Sequence, residues 1–443
     1  MNSLFSSFFP ALALFLVITS CLGFSSGASA MDNTDNSGSD NTTKPNPLSL
    51  EKAQSMALAN HPSLQELEAV IRSSRNREVY LGELPDPDLS LSLVNLPVDS
   101  LALDEEPMSQ VKVGVRQKIP FPGKLSLKQQ REAQERKRYR FRLRDLEARL
   151  VKEVRKAWLD VFYQNRALEV IDANLKLFED LLSVARTQYT VGKGLQQDIL
   201  LAELERDRLE DERIRLKNAL ERAKNKLVEL TLAEPDSLSI PDELPELAGL
   251  PSLYKIVSGL SEHPMILAQK KRIRRRDTSV ELARKEYYPD FGVEVSYGHR
   301  RARDMEGDRH ADFVSGGVTM ELPVFHEDRQ DRQVAAAREE RMAARKKLRS
   351  LMVELKRRAR STWSDMRHFR ERIRLFQETI LPESRHTVEA NRSAYISGRL
   401  DFLDLVRSRI QDYKYKLKLW KLRVESVKSR AELLYLAREG GNE

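Results

Sequence analysis

A collinear internal repeat constrains this chain more than any other feature. His61-Pro62 returns as His263-Pro264, 202 residues later, and Pro87-Asp88 returns as Pro289-Asp290 at the same offset. Pro120, in Ile119-Pro120-Phe121, matches Pro323, in Leu322-Pro323-Val324, at an offset of 203. Tyr189, Gly192 and Asp198 match Tyr395, Gly398 and Asp404, all three at 206. A single pair could arise by chance, but an ordered series at nearly constant spacing reads as two copies of a unit of about 200 residues. The expected divisions are a first repeat over 48–233, a Pro-rich linker over 234–251, a second repeat over 252–437 and a short tail over 438–443.

Each copy reads as helix, strand, strand, very long helix, break, helix. Strands are expected near 87–96 and 110–120, and again near 289–299 and 312–323, because apolar and polar residues alternate there. Val111, Val113 and Val115 would face one way and Lys112, Gly114 and Arg116 the other. Runs of roughly 9–11 residues match what a tilted strand needs to cross a bilayer. Ordinary surface hairpins would show the same alternation, so the pattern leaves both readings open. The intervening segments, Pro97 to Pro107 and Arg300 to Ala311, are polar.

The long helices are the second signal. From Lys124 to Arg186 there is neither proline nor glycine. Leu143, Leu146, Leu150, Val154, Ala157, Val161, Leu168, Ile171, Leu175, Phe178, Leu182 and Ala185 step by threes and fours, with one gap at Gln164. That spacing predicts the narrow seam of a coiled coil. About 60 residues would extend ~90 Å, too long for a compact domain. A second long helix is expected from Glu327 to Leu381, to be kinked or broken by Pro382. Return helices over 196–230 and 400–437 would complete helical hairpins spanning 124–230 and 327–437.

The first thirty residues carry no Asp, Glu, Lys or Arg, and Phe8 to Ile18 is almost wholly apolar. This reads as a secretory signal over 1–30, with an Ala28-Ser29-Ala30 cleavage site. Ile18-Thr19-Ser20-Cys21 offers a second reading, a signal over 1–20 with Cys21 lipidated. A polar leader, 31–47, follows. Cys21 is the sole cysteine, so no intramolecular disulfide can form. Beyond the signal no apolar run would span a membrane as a helix, so any membrane role must fall to the strands. The +8 net charge does not point to nucleic acid: 75 basic residues are interleaved with 67 acidic ones, as on solvated helix faces.

Four membrane-length strands cannot close a barrel alone, and an open edge in lipid leaves backbone groups unsatisfied. Eight strands, from two chains, enclose only side chains, so a conduit favours three chains or more. In this setting Leu58-Ala59-Asn60-His61-Pro62, Leu84-Pro85-Asp86-Pro87-Asp88-Leu89-Ser90-Leu91 and Gln117-Lys118-Ile119-Pro120-Phe121-Pro122-Gly123-Lys124, with the two Tyr-x-x-Gly turns, resemble the TolC-type outer-membrane efflux proteins of Gram-negative bacteria. The resemblance covers nearly the whole chain after the leader. It implies an α+β membrane protein: a homotrimer with a 12-stranded β-barrel, four strands per chain, continuing into a long α-helical coiled-coil tunnel. It also implies outer-membrane lipid around the barrel, a periplasmic adaptor and an inner-membrane pump as partners, no cofactor and no catalysis. The Pro-Asp-Pro-Asp and Pro-Phe-Pro-Gly-Lys segments look most like the branch serving heavy-metal resistance-nodulation-division (RND) pumps. The other readings are a duct for drug efflux or type I secretion, or a periplasmic coiled-coil adaptor.

Gly192 and Gly398 fall where long helices must turn back, and glycine readily takes the left-handed conformation that ends a helix. By resemblance these turns form the periplasmic mouth, where Tyr189, Asp198, Tyr395 and Asp404 would make a polar network holding it closed. Asp404 matches a constricting aspartate ring. This sequence departs from the family pattern at Arg407, in place of a second acid, and at Leu400, in place of a basic residue. His61 and His263, each before proline, suit helix starts rather than metal. His299, His310, His326 and His368 lack ligand spacing, so no metal site is expected. The mature sequence has no nucleophilic cysteine, G-x-S-x-G or P-loop, so no enzyme is expected.

Overall fold

The computed structural model describes residues 47–234 and 239–438. The expected signal, Cys21, the leader up to residue 46 and the end of the tail lie outside the described residues. Helix α1 (Leu50–Asn60) opens at Ser49, whose Oγ accepts the Lys52 N–H at 3.2 Å. Helix α2 (Pro62–Tyr80) opens at His61, whose Nδ1 accepts the Ser63 N–H at 3.3 Å. Pro62 takes the first helical position, where no N–H is needed.

Four strands follow in two pairs: β1 (Asp88–Val94) with β2 (Gln110–Ile119), and β3 (Phe291–Arg300) with β4 (Phe313–Met320). They form one antiparallel sheet in the order β1-β2-β3-β4, with Leu91 opposite Val113, Val113 opposite Tyr297 and Tyr297 opposite Val314. The join between pairs, β2 to β3, brings together residues more than 170 positions apart.

Helix α3 runs unbroken from Lys124 to Thr190, 67 residues, or ~100 Å. Helix α4 (Gln196–Thr231) returns along it. After the short α5 (Leu253–Gly259) comes α6 (Pro264–Lys285), where His263 Nδ1 accepts the Met265 N–H at 3.3 Å, the same cap as His61. Helix α7 (Gln330–Leu375), a π-helical turn (Phe376–Ile380) and α8 (Leu381–Ile396) make the second long rod, and α9 (Phe402–Leu436) returns along it. Ion pairs mark the layout. The first half of α3 lies between α2 and α6, through Arg136–Glu78 at 2.9 Å and Arg275–Glu135 at 3.3 Å. Its second half lies between α4 and α9, through Arg213–Asp172 at 2.7 Å and Lys428–Asp160 at 2.6 Å.

The expectation of a uniform narrow seam needs correction. Near its far end α3 does bury a narrow seam of Ile171, Phe178, Leu182 and Ala185. From Leu150 to Phe162, however, it also buries Trp158, Leu159 and Phe162, so burial goes almost all round. The cause is extra packing: α1, α9 and residues 239–250 wrap α3 there, with Ile240 and Leu247 inserted, and Trp158 Nε1 donating to the Leu48 carbonyl at 2.9 Å. At Pro382, where a kink or break is expected, the rod is interrupted without ending. Proline lacks the N–H for the ordinary helical bond and crowds the carbonyl four residues back. The preceding turn widens instead, the Leu381 N–H reaching the Phe376 carbonyl, and the helix carries on to Ile396.

Candidate functional site: an open sheet and two hairpin tips

The sheet separates chemistry by face because side chains alternate along each strand. One face carries Leu89, Leu91, Leu93, Val113, Val115, Val293, Val295, Val314, Val318 and Met320, none of it covered: Leu91 is 75% and Val318 75% exposed. Burial of so much contiguous apolar surface is the default in water, so a bare face this large marks contact with lipid or another protein. The opposite face is polar. Arg116 donates to Glu294 through Nη2 at 2.7 Å and Nε at 3.1 Å, Lys112 stands 3.6 Å from the same carboxylate, and Ser90 donates to the Gly114 carbonyl at 3.3 Å. The outer edges of β1 and β4 have no strand partner among the described residues.

The Pro-Phe-Pro-Gly-Lys segment turns the sheet into the helices. Gly123, with φ of 91°, makes the left-handed turn that starts α3. Lys124, 3% exposed, drives its ammonium onto Asp290 at 2.8 Å and Glu286 at 3.1 Å. Asp290 also accepts the Phe121 N–H at 2.9 Å, and Phe121 stacks on Tyr288. The second Pro-Asp is therefore a joint, fastened by the lysine of the Pro-Phe-Pro-Gly-Lys segment.

At the tips, Gly192 (φ 74°) and Gly398 (φ 72°) turn the chain, each N–H donating to the carbonyl of Tyr189 or Tyr395 at 3.0 Å. The structure does not join Tyr189, Asp198, Tyr395 and Asp404 into one network within the chain. Asp198 caps α4, accepting the Leu195 N–H at 3.4 Å. Tyr395 packs on Phe402 with ring centroids 5.2 Å apart, and its buried hydroxyl has no partner among the described residues. Burial, then the nearby charge of Asp198, raises its pKa. These two residues share a cleft of about 680 Å³ between the tips. Asp404 lies in a separate cleft of about 700 Å³ between α8 and α9, where Arg407 pairs with it at 3.3 Å. Tyr189 is exposed. The departure at Arg407 thus gives Asp404 a basic partner on its own helix.

One cluster was not anticipated. Tyr435 donates to Asp145 at 2.8 Å, His263 lies 4.0 Å from Asp145, and Glu432 meets Lys156 at 2.7 Å, Lys152 at 3.6 Å and Arg358. Burial holds His263 below the ordinary imidazole range despite the pull of Asp145, with Arg438 and Arg358 reinforcing it. The cluster binds α3, α6, α7 and α9 together. No group of His, Cys, Asp or Glu among the described residues has a metal-holding arrangement.

A family model described as outer membrane efflux protein matches residues 53–231 and 256–437. Over 366 residues the chain is 21% identical to the cobalt-zinc-cadmium resistance protein CzcC of Cupriavidus metallidurans, spanning 81% of this chain and 82% of that one. The structure matches the outer membrane protein VceC of Vibrio cholerae with a TM-score of 0.74 at 17% identity, over 89% of this chain and 97% of that one. It matches the Campylobacter jejuni CmeC outer membrane channel with a TM-score of 0.75 at 13% identity, over 88% and 86%. Identities this low establish a shared fold and nothing finer. The family pattern, by contrast, covers most of the chain, and this protein belongs to the outer membrane efflux protein family.

Proposed function

We propose that three copies of this chain, each an internally duplicated subunit, close a 12-stranded barrel through the outer membrane. Their helices extend it as a tunnel across the periplasm. The assembly is the passive exit duct of a tripartite efflux system, loaded by an inner-membrane RND pump and a periplasmic adaptor docked at the hairpin tips. The observation that carries this reading is the four-stranded sheet: bare apolar face, charged inner face and two unpaired edges, mounted on rods of ~100 Å. Heavy-metal cations are the proposed cargo, on the likeness to CzcC. Selection would rest with the pump, and an Asp404 ring would narrow the entrance. Secretion by the N-terminal signal, with or without lipid on Cys21, completes the proposal.

Two measurements test it. The purified protein in planar bilayers is expected to give stepwise conductance, and its deletion to sensitise cells to cobalt, zinc or cadmium. Sensitivity to dyes and detergents alone would move the cargo to drugs and keep the duct. Absence of both conductance and outer-membrane fractionation would replace the duct with a periplasmic scaffold.

A further inference from the structure

Resting on the ring of copies just proposed, we propose one register for the seam between neighbours: β4 of one copy pairs antiparallel with β1 of the next, Thr319 opposite Ser92 and Val318 opposite Leu93. The strands alternate in direction, so free β4 and free β1 meet antiparallel. Their faces then limit the choice. The apolar face uses even positions in β4 (Val314, Val318, Met320) and odd ones in β1 (Leu89, Leu91, Leu93). A slip by one residue would turn lipid-facing side chains inward, so only steps of two remain.

The repeat selects among those steps. β1 precedes β3 by 202 residues at Pro-Asp, and β4 follows β2 by 203 at the proline after each strand. The observed pair Ile119–Phe291 therefore transfers to Leu322–Leu89, and so to Met320–Leu91 and Thr319–Ser92. In this register Val94, an apolar residue on the inner face, falls opposite Gly317, where a Cβ would meet nothing within 4 Å. Either two-residue slip sets Val94 against Thr319 or Ser315 instead.

Closure bears independently on one of the two slips. Following the three observed registers from β1 to β4 and then this seam returns to β1 six residues further along. Three copies then give a barrel stagger of about 18 and a strand tilt of ~46° at ordinary strand spacings, near the usual range of about 35–45°. A slip to eight residues per copy would need ~54°. A slip to four, at ~35°, is compatible with closure and is disfavoured by the repeat offset, which the observed pair Ile119–Phe291 fixes.

The test is disulfide mapping on the full chain in membranes. Ser92→Cys is combined with Thr319→Cys, with Gly317→Cys or with Glu321→Cys, and each single variant controls for Cys21. Heat-modifiable gel mobility verifies that each barrel has formed. The 92–319 pair is expected to link subunits at least about 10-fold more than either slipped pair, whose Cα atoms lie ~7–8 Å apart, beyond ready disulfide reach. Preferential linking of 92–317 or 92–321 overturns the register while leaving the ring intact. No link in any pair, from protein that runs as a monomer, overturns the ring as well.

Discussion

The two long rods cover similar distances by different means. Helix α3 does so with 67 residues free of proline and glycine, locked at mid-length by a cage of aromatic and aliphatic side chains. The second rod, α7 through α8, carries a proline and a π-helical turn, and its nearby core is a small group of Phe376, Leu381, Leu419 and Leu422. At mid-length the second rod is packed too, through Leu355, Ala359 and Met366, so the contrast lies at the interruption, where the surrounding core is small. The first rod keeps ordinary helical geometry throughout, whereas the second widens for one turn towards its tip.

The strongest test of the comparison lies at two equivalent tryptophans. Trp158 is 1% exposed and hydrogen-bonded, whereas Trp363, 205 residues later, is only partly buried. Trp158→Ala is expected to cost ~3–5 kcal/mol in thermal unfolding, and Trp363→Ala clearly less. Equal losses would erase the distinction. At the rod starts, Lys124→Met removes a buried charge partner from Asp290 and should cost ~3 kcal/mol. Glu327→Met, at the matching place, should stay within ~0.5 kcal/mol.

Pro382→Ala should let an ordinary helical bond form and stabilise the second rod by ~1 kcal/mol, less than the ~3 kcal/mol of an unrelieved proline. Unchanged hydrogen exchange across Phe376–Ile380 would show that the wide turn has another cause. The histidine caps differ too, because only His263 is enclosed by charged groups. Its pKa is lowered in the folded state, so the stability it contributes is present above the unfolded value near 6.5. That stability is lost as pH falls through the folded value. His263→Asn, which keeps a capping oxygen, should narrow the gap between melting points at pH 7.5 and 5.5. Smallest of all, Asp404→Ala should cost no more than ~0.5 kcal/mol, its exposed pair with Arg407 being weak. If it also leaves conductance and ion preference unchanged, the proposed ring at Asp404 fails.

Much of this was legible in the sequence for physical reasons. Alternation at Leu89–Leu93 and Val111–Val115 is a local code for a two-faced strand, and the proline-free run after Lys124 is a local code for a rod. What was not legible depended on distant partners. Trp158 and Leu159 lie off the expected seam, and only the wrapping by α1 and residues 239–250 explains their burial. Asp145 sits in the charged run Arg142 to Arg149, where nothing local sets it apart, yet Tyr435, 290 residues on, buries it. Pro382 signalled an interruption correctly, but whether a helix ends or merely widens is decided by packing on both sides. The tips were placed by their glycines. Their side-chain pairing was not, because Arg407 competes for Asp404 on the same helix.

The order of the sheet also governs how the chain can be made. β2 must pair with β3, yet their residues lie 172 to 190 positions apart, and the buried Lys124 meets Asp290 across 166. Until the second half has been synthesised, the first owns only a two-stranded hairpin, which is marginal alone, and a lysine without its carboxylate. Although the sequence reads as two copies, neither copy can complete its own fold. Such long-range closure slows folding and leaves strand edges open meanwhile. A nascent chain would therefore depend on protection from aggregation up to its last strand.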